Sequence, residues 1–327
     1  MNPKNNHLSD LVNTLQKSVS ILNKQDIQTA ATAIGQYVQT ASGESIRLGD
    51  DCAAIPDGDG YLLLAAEGLW PQLVTQDPWF AGWCAIMVNI SDIASMGGTP
   101  IAVVDTLWSQ SVTSNTPLWQ GMQAAARAYN VPIVGGHTNC HSPYDGLAVA
   151  ILGRAQQLIT SFDAQPGDDL VMVVNMAGSY YGDYPFWNAA TTAEPMMLQQ
   201  QIGLLPQLAN IGLCTAGKDI SMGGLVGTLL MLAEASGVGA TLSLDLVPHP
   251  PEVTWEKWLT SFPSFGFIFS VPPEHLAQVK KLFQPYGVTC KAVGKITAGS
   301  QVILQQAGEQ ALFWDATHPL TGFGQYG

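Results

Sequence analysis

The sequence predicts a two-domain protein of the α/β (α+β) class. The chain has 327 residues, of which 47% are hydrophobic, and this is about what the cores of two ordinary domains use. Short apolar runs typical of strands alternate with helical stretches in both halves. A cluster of turn residues at 165–169 separates the halves. We therefore expect a helical lead-in at 1–43, a first domain at 44–160 and a second domain at 161–327.

The individual elements are predicted from hydrophobic spacing. Leu11, Leu15 and Val19 recur at near-helical intervals and Ser9 is a suitable N-cap, so 10–38 is expected to form one or two helices. Segment 176–195 is rich in Gly, Tyr, Trp and Pro without a clear period, and we expect a loop or insertion there. The other expected strands are 61–66, 101–107, 131–134, 147–152, 170–174, 240–244, 267–271 and 291–296. The other expected helices are 79–96, 118–129, 197–213, 225–235 and 274–283.

The charge balance excludes some classes of partner. Lys and Arg total 12 against 25 Asp and Glu, a formal charge of −13, which argues against a nucleic-acid backbone or an anionic membrane. Because basic side chains are scarce, any bound phosphate would need metal ions and backbone amides as its counter-charge.

No apolar run approaches the roughly 20 residues that span a bilayer. The first residues lack the order of a secretory signal, so we expect a cytoplasmic location.

Two adjacent carboxylates, Asp50 and Asp51, directly follow Gly49. On its own, this arrangement is also typical of a solvated turn in which an aspartate caps the next element. Glu67 follows the expected strand 61–66, so its carboxylate would lie at a strand end, where the sites of α/β proteins gather. These acidic residues are therefore candidates for one site.

A second candidate group lies on the expected helix 79–96. Asn89 and Asp92 are three residues apart, so they would project in the same direction. A loop or a helix cap could satisfy such a polar pair. A hard divalent metal ion would also provide the partner that a buried charge needs, since Mg²⁺ prefers oxygen ligands from carboxylates and amides.

These motifs, with Gly97 and Gly98 after the helix and Val-Gly-Gly-His-Thr at 134–138, resemble the N-terminal domain of the AIR synthase superfamily. That group includes aminoimidazole ribonucleotide synthase, thiamine-monophosphate kinase, selenophosphate synthetase and the hydrogenase-maturation dehydratase. Lys-Asp-Ile-Ser-Met-Gly-Gly-Leu at 218–225 resembles its second domain more weakly. The resemblance implies an N-terminal mixed-sheet domain that forms a dimer interface and a C-terminal α/β sandwich domain. It also implies a homodimer that binds ATP and Mg²⁺.

The resemblance also implies roles for individual residues by position. The implied metal ligands are Asp50, Asp51, Asp92, Asp219 and Glu67, the last at a position where the family commonly has an aspartate. The implied nucleotide-binding residues are Asn89, Gly135, Gly136, Gly223 and Gly224. The last two open an expected helix, so their amides could meet a phosphate.

The chain departs from thiamine-monophosphate kinases at two positions. His137 stands where those kinases have an acidic residue, and histidine is a weaker ligand for Mg²⁺. His137 is instead a candidate general base. Met222 stands where those kinases have a second aspartate, and 262–267 lacks their acidic, tyrosine-containing signature. Thiamine phosphate is therefore not the expected acceptor.

These observations leave three hypotheses for function. The first is an ATP- and Mg²⁺-dependent enzyme that phosphorylates or activates a small-molecule substrate. The second, suggested by His137 and Met222, is a nucleotide-binding regulatory or accessory protein without turnover. The third assigns Cys140, which lies between His137 and His141, as a metal ligand or a nucleophile, although an exposed strand-end loop is a simpler interpretation.

The five scattered cysteines include no CxxC pair and indicate neither a disulfide framework nor a thiolate zinc finger.

Overall fold

The structure is a computed structural model that describes residues 7–41, 43–112 and 115–324. The helices are α1 (His7–Gln16), α2 (Val19–Leu22), α3 (Ile27–Ile34), α4 (Pro71–Gln76), α5 (Pro78–Ser95), α6 (Thr116–Tyr129), α7 (Pro195–Ile202), α8 (Leu204–Asn210), α9 (Gly224–Ser236), α10 (Trp255–Leu259) and α11 (Leu276–Phe283). The strands are β1 (Tyr37–Gln39), β2 (Ser45–Arg47), β3 (Ala53–Asp57), β4 (Gly60–Gly68), β5 (Thr99–Trp108), β6 (Ile133–Asn139), β7 (Gly146–Ala155), β8 (Asp169–Val174), β9 (Ser179–Tyr180), β10 (Phe186–Asn188), β11 (Ala216–Asp219), β12 (Gly239–Ser243), β13 (Phe262–Pro263), β14 (Gly266–Val271), β15 (Thr289–Thr297), β16 (Gln301–Gln306) and β17 (Glu309–Asp315).

The described residues form two compact units. The smaller unit comprises Asp51–Leu158 and Ala190–Asn210. The larger unit comprises the described residues up to Asp50, Ile159–Ala189 and the described residues from Ile211 onward. Each unit combines helices with a mixed sheet, which confirms the predicted α/β class.

The smaller unit contains a five-stranded sheet in the order β3-β4-β7-β5-β6. The paired neighbours are antiparallel except β5 and β6, which are parallel, so β6 is an edge strand. Burial alternates along β7, where Leu147, Val149 and Ile151 are buried beneath α5. On the opposite face, the apolar side chains of Leu64 and Val104 are exposed. One face of this sheet is therefore covered by helix and the other presents apolar side chains to solvent.

The larger unit contains a seven-stranded sheet in the order β11-β14-β8-β15-β12-β16-β17, in which only the β12–β16 pair is parallel. Every residue of α9 is buried, which explains why its sequence is apolar on all sides. The helix α1 packs against β16 and β17, so part of the predicted lead-in belongs to this core.

Residues 320–322 are fixed to α9 through one carboxylate in the larger unit. Glu234 is buried and its side chain accepts hydrogen bonds from the backbone N–H groups of Leu320 (3.1 Å), Thr321 (2.9 Å) and Gly322 (2.8 Å). The Thr321 hydroxyl donates a further bond over 3.2 Å. The buried carboxylate of Glu234 therefore accepts four hydrogen bonds. A charged group can be buried at tolerable cost when it is hydrogen-bonded in this way.

Four predicted elements differ from the structure. The strand expected over 131–134 instead begins at Ile133 and extends to Asn139 as β6. The helix expected to reach residue 38 ends at Ile34, because Gly35 adopts φ +78° and β1 begins at Tyr37. The helix expected over 197–213 is divided into α7 and α8 at Gly203 and ends at Asn210. Segment 176–195, expected to lack regular structure, contains the short strands β9 and β10.

Candidate metal and nucleotide site

Two of the predicted metal ligands lie together in the smaller unit. Asp92 is in the last turn of α5 and is 6% exposed, and Asp51 immediately precedes the buried residue Cys52. Carboxylate oxygens of Asp51 and Asp92 lie within 4.8 Å of each other. The structure therefore brings together two carboxylates that are far apart in the chain.

The end of α5 fixes this pair in place. The Ser95 hydroxyl lies 2.7 Å from Asp51 Oδ2 and 2.7 Å from the Asp92 backbone carbonyl. The Cys52 N–H donates to the Met96 sulfur over 3.1 Å. Both contacts hold the start of β3 against the C-terminal end of the helix, so the carboxylates have little freedom to separate.

The electrostatics of this position favour a cation. The C-terminal end of a helix carries about half a negative charge, because the peptide dipoles align and the last carbonyls lack partners. The last turn of α5 contains no basic residue. Two carboxylates beside such an end repel each other and the helix dipole, and an oxygen-preferring divalent cation would relieve both repulsions.

Asn89 lies one turn before Asp92 in α5 and is fully buried. Its side-chain amide donates to the Ala85 carbonyl over 2.8 Å, within the same helix. Its Oδ1 atom has no hydrogen-bond partner among the described residues. Asn89 therefore retains an unused acceptor inside the fold, and contact with a nucleotide stays a prediction.

Asp50 is held by Ser161 in the larger unit. The Ser161 N–H donates to Asp50 Oδ2 over 2.8 Å, and the Ser161 hydroxyl donates to Asp50 Oδ1 over 2.6 Å. The Ser161 carbonyl in turn accepts from the Ser236 hydroxyl at the end of α9. Asp50 thus has a structural role in this loop.

Glu67 lies near the end of β4, opposite Val149 of β7, and its side chain is exposed. The structure does not bring its carboxylate within 4.8 Å of both Asp51 and Asp92. The expected position at a strand end is therefore correct, and a role as a metal ligand stays a prediction.

Gly135, Gly136 and His137 lie in the edge strand β6, where all three are exposed. The parallel register places Gly136 beside Asp105 and His137 beside Thr106 of β5. A Cβ atom at Gly136 would collide with Asp105 Oδ1, so glycine is required there by the neighbouring carboxylate. This requirement is independent of any phosphate that the paired glycines bind.

Asp105 is a buried carboxylate beside Gly136 that the sequence analysis did not identify. It is 4% exposed and its Oδ2 atom has no hydrogen-bond partner among the described residues. Burial raises the pKa of its carboxyl above the ordinary value, and a bond from its own backbone N–H partly offsets this. The available signal was a single aspartate in the otherwise uncharged apolar strand 101–107.

We expect Asp105→Asn to stabilise the protein in a pH-dependent way. Below the unfolded-state pKa of about 3.9, both states are protonated and burial costs nothing extra. As the pH rises through that value toward the raised folded-state pKa, the folded state binds more protons than the unfolded state, so stability falls. The melting temperature of Asp105→Asn should therefore exceed that of the wild type at pH 8.

The melting temperatures of both proteins between pH 4 and pH 8 measure this effect. The difference should shrink toward zero as the pH falls to about 4. Asp59→Asn, which removes an exposed carboxylate from the same unit, should show no such trend. A variant that is less stable than the wild type throughout the range would contradict the expectation.

In the larger unit, Asp219 ends β11 and is buried. Its backbone carbonyl accepts from the Thr228 hydroxyl over 3.3 Å, which connects the strand end to α9. Gly223 and Gly224 then start α9 with φ values of +96° and +65°. A side chain at Gly224 would also collide with the Leu259 carbonyl and Thr260, so only glycine fits this turn.

The sequence matches two family models in succession. The N-terminal domain of AIR synthase related protein matches residues 49–155, and the C-terminal domain matches residues 166–306. The chain belongs to the AIR synthase superfamily. This membership confirms the family expected from the motifs at 49–51, 88–100 and 218–225.

Three comparisons describe the relatives of this AIR synthase-related protein. An uncharacterized protein of Synechocystis sp. is 56% identical over 318 residues, which cover 97% of this chain and 98% of that protein. Thiamine-monophosphate kinase of Pyrococcus horikoshii is 29% identical over 286 residues, covering 79% of this chain and 86% of the kinase. The structure of Thermotoga maritima PurL complexed with ATP has a TM-score of 0.72 at 15% identity and shares the fold. That match covers 94% of this chain and 52% of PurL, so the chain spans about half of that relative.

The cysteines of this AIR synthase-related protein differ in accessibility. Cys52, Cys84 and Cys214 are buried, and burial raises the pKa of the Cys214 thiol to about 12. Cys290 is half-buried, and desolvation also raises its pKa to about 12. Cys140 is half-buried directly after β6, and its sulfur lies 3.5 Å from the Asn115 side-chain amide.

The contacts of Cys140 do not favour the cysteine-based hypothesis. An asparagine amide is not a base, so the recorded contact cannot take the proton of the thiol. In the described part of the chain, Cys140 also belongs to no group of three or more side chains that could hold a metal ion.

No described helix has the length and apolar composition needed to cross a bilayer.

Proposed function

We propose that this AIR synthase-related protein is an ATP- and Mg²⁺-dependent enzyme that phosphorylates or activates a small-molecule substrate. The observation that carries the proposal is the pair Asp51 and Asp92, held within 4.8 Å at the negative end of α5. Carboxylates this close to each other and to a helix C-terminus are arranged as an oxygen-preferring divalent cation requires. Family membership supports the use of ATP, since the PurL relative is complexed with ATP and another relative is a kinase.

The donor set fits Mg²⁺ in its chemistry. Mg²⁺ prefers oxygen ligands and is usually held by one or two carboxylates together with substrate phosphates, which is what Asp51 and Asp92 offer. Bound Mg²⁺ would neutralise phosphate oxygens and so favour transfer of the terminal phosphoryl group. We propose Asp50, Glu67 and Asp219 as further ligands on the strength of the family resemblance.

The protein itself would supply binding and orientation. The amides that follow Gly223 and Gly224 in the first turn of α9 would hold phosphate oxygens, because a helix N-terminus has unpaired N–H groups. We propose that Gly135, Gly136 and Asn89 contribute to the nucleotide site. The exposed imidazole of His137 on β6 would take the proton from the acceptor group.

We also propose that the protein is a homodimer. The open face of the five-stranded sheet exposes Leu64, Val104 and Leu152, and a second copy would remove these apolar side chains from water. This interface is the one that the family resemblance implies. We place the enzyme in the cytoplasm, with ATP and a small molecule as its partners.

The direct test is release of ADP from ATP in the presence of Mg²⁺ and a panel of small-molecule acceptors. We expect one acceptor to accelerate ADP release over the acceptor-free rate, and Asp51→Asn to reduce that rate by at least about 100-fold, because the metal-held phosphates lose a ligand. Asp59→Asn should keep the wild-type rate.

A second candidate function is a nucleotide-binding regulatory or accessory protein. His137 and Met222, at positions that are acidic in thiamine-monophosphate kinases, favour it because they remove potential metal ligands. Tight, Mg²⁺-dependent ATP binding by calorimetry, without ADP release for any acceptor, would select this candidate over the enzyme.

A further inference from the structure

A small pocket lies in the smaller unit at the point where β5 ends. Its volume is about 110 Å³. The buried side chains of Val74, Leu107 and Leu118 are part of its lining, and Trp108, the half-buried last residue of β5, also lines it. One water molecule needs roughly 10–15 Å³, so the pocket has room for a group of several heavy atoms. Its apolar lining favours a group that is partly hydrocarbon.

Asp145 is the only charged residue among the described residues that line this pocket. The backbone N–H of Gln110 and the hydroxyl of Ser109 each donate to Asp145 Oδ1 over 3.0 Å, and the Gln110 side-chain amide donates to Oδ2 over 3.1 Å. These hydrogen bonds, the backbone one foremost, hold the pKa of the Asp145 carboxyl below its ordinary value. The carboxylate is therefore ionised at neutral pH and fixed in position.

Three helix ends border the pocket, and their partial charges largely offset one another. The positive N-terminus of α5 is capped by Asp77, whose carboxylate accepts from the Phe80 N–H over 3.1 Å. The positive N-terminus of α6 is opposed by the negative C-terminal end of α4. Each helix end carries only about half a charge, so the full negative charge of Asp145 dominates the pocket.

We propose that this pocket binds a protonated primary amine on a short hydrocarbon chain, which forms one end of the acceptor molecule. The inference deepens the proposed function and rests on it. The ammonium group would donate to the Asp145 carboxylate in a charge-assisted hydrogen bond. The hydrocarbon chain would pack against Leu107 and Leu118, and the ring of Trp108 would add attraction for the cation.

The position of the pocket suits a group that orients the acceptor. In the parallel register of β5 and β6, Trp108 is opposite Asn139 and Thr106 is opposite His137. Two residues along a strand span roughly 7 Å, so His137 lies within the reach of a small molecule from the end of β5. The amine would anchor one end of the acceptor, while its reacting group lies toward the imidazole proposed to take its proton.

Ligand-observed NMR titration of the 327-residue chain with propylammonium chloride tests this inference, without ATP or Mg²⁺. The neutral comparison is 1-propanol, which has the same number of heavy atoms. For so small a ligand we expect a Kd on the order of millimolar for propylammonium and at least about 10-fold weaker binding of 1-propanol.

Two variants separate the charge from the cavity. Asp145→Asn should raise the Kd for propylammonium by about 10-fold or more, since a charge-assisted hydrogen bond typically contributes that much. Thr75→Phe should also abolish binding, because Thr75 is an exposed residue of the pocket lining and a ring there would occupy the space while Asp145 stays in place. Asp59→Asn, which removes an exposed carboxylate from the same unit, should bind like the wild type.

Equal affinity of Asp145→Asn and Asp59→Asn for propylammonium would overturn the inference, and so would equal binding of 1-propanol by the wild type. Wild-type affinity in Thr75→Phe would show that the amine binds outside the pocket. If Asp145→Asn also lowers the melting temperature, Thr75→Phe decides, since it keeps the bonds of Asp145. Failure of the proposed function is a separate result, in which no acceptor accelerates ADP release although propylammonium still binds.

Discussion

Asp92→Asn is expected to abolish the rise in melting temperature that the proposed binding of ATP and Mg²⁺ should produce in the wild type. A ligand at 100 times its Kd stabilises the folded state by about 2.7 kcal/mol, and this whole contribution should disappear when the metal loses a carboxylate ligand. The measurement is a thermal melt of each protein with ATP and Mg²⁺, with ATP and EDTA, and without ligand.

The same melts provide the internal control for Asp92→Asn. Without ligand, the variant should be at least as stable as the wild type, because the substitution removes repulsion between Asp92, Asp51 and the C-terminal end of α5. Asp59→Asn should retain the full ligand-dependent shift. An equal rise with ATP in EDTA would show that the nucleotide binds without a metal, and the carboxylate pair would then need another explanation.

Glu234→Ala is expected to lower the free energy of unfolding by roughly 3–5 kcal/mol, because three backbone N–H groups and one hydroxyl lose their shared acceptor. Each buried donor left without a partner costs about 1–3 kcal/mol, and the shortened side chain also leaves a cavity. Urea unfolding followed by tryptophan fluorescence measures the change.

Two further variants calibrate the Glu234 result. Glu234→Gln keeps one acceptor oxygen but turns an amide N–H toward the donors, so its loss should be intermediate. Glu252→Ala removes an exposed carboxylate from the same unit and should change stability by less than about 0.5 kcal/mol. A loss in Glu234→Ala no larger than in Glu252→Ala would mean that residues 320–322 are not held by this carboxylate.

Much of the candidate site could be predicted because its chemistry is local in sequence. The pair Asn89 and Asp92 was identified from helical spacing alone, and α5 extends over Pro78–Ser95 as expected for 79–96. The adjacent residues Asp50 and Asp51 were identified from their position directly after Gly49 and from the family resemblance. That these two neighbours make different contacts, Asp50 with Ser161 and Asp51 with Ser95, could not be predicted, because the serines lie 111 and 44 residues away.

The elements that the sequence analysis missed are mostly short or depend on distant partners. The hairpin of β16 and β17 has the expected alternation, with Val302 and Leu304 buried, and its turn contains Ala307 and Gly308 with positive φ. Alternating burial around such a turn is typical of a hairpin, so the sequence does contain a signal for this element. The role of Asp105 is different in kind, because its burial depends on the glycine that faces it from β6. Only the strand register reveals that pair.

The unequal accessibility of the cysteines makes Cys140 a natural attachment point for a fluorescent reporter. Maleimide dyes react with thiolates, so the buried thiols and the desolvated Cys290 should react slowly at neutral pH. A dye on Cys140 would lie at the end of β6, the strand that contains His137. Acceptor molecules could then be screened with wild-type protein by a change in emission, before any enzymatic assay exists.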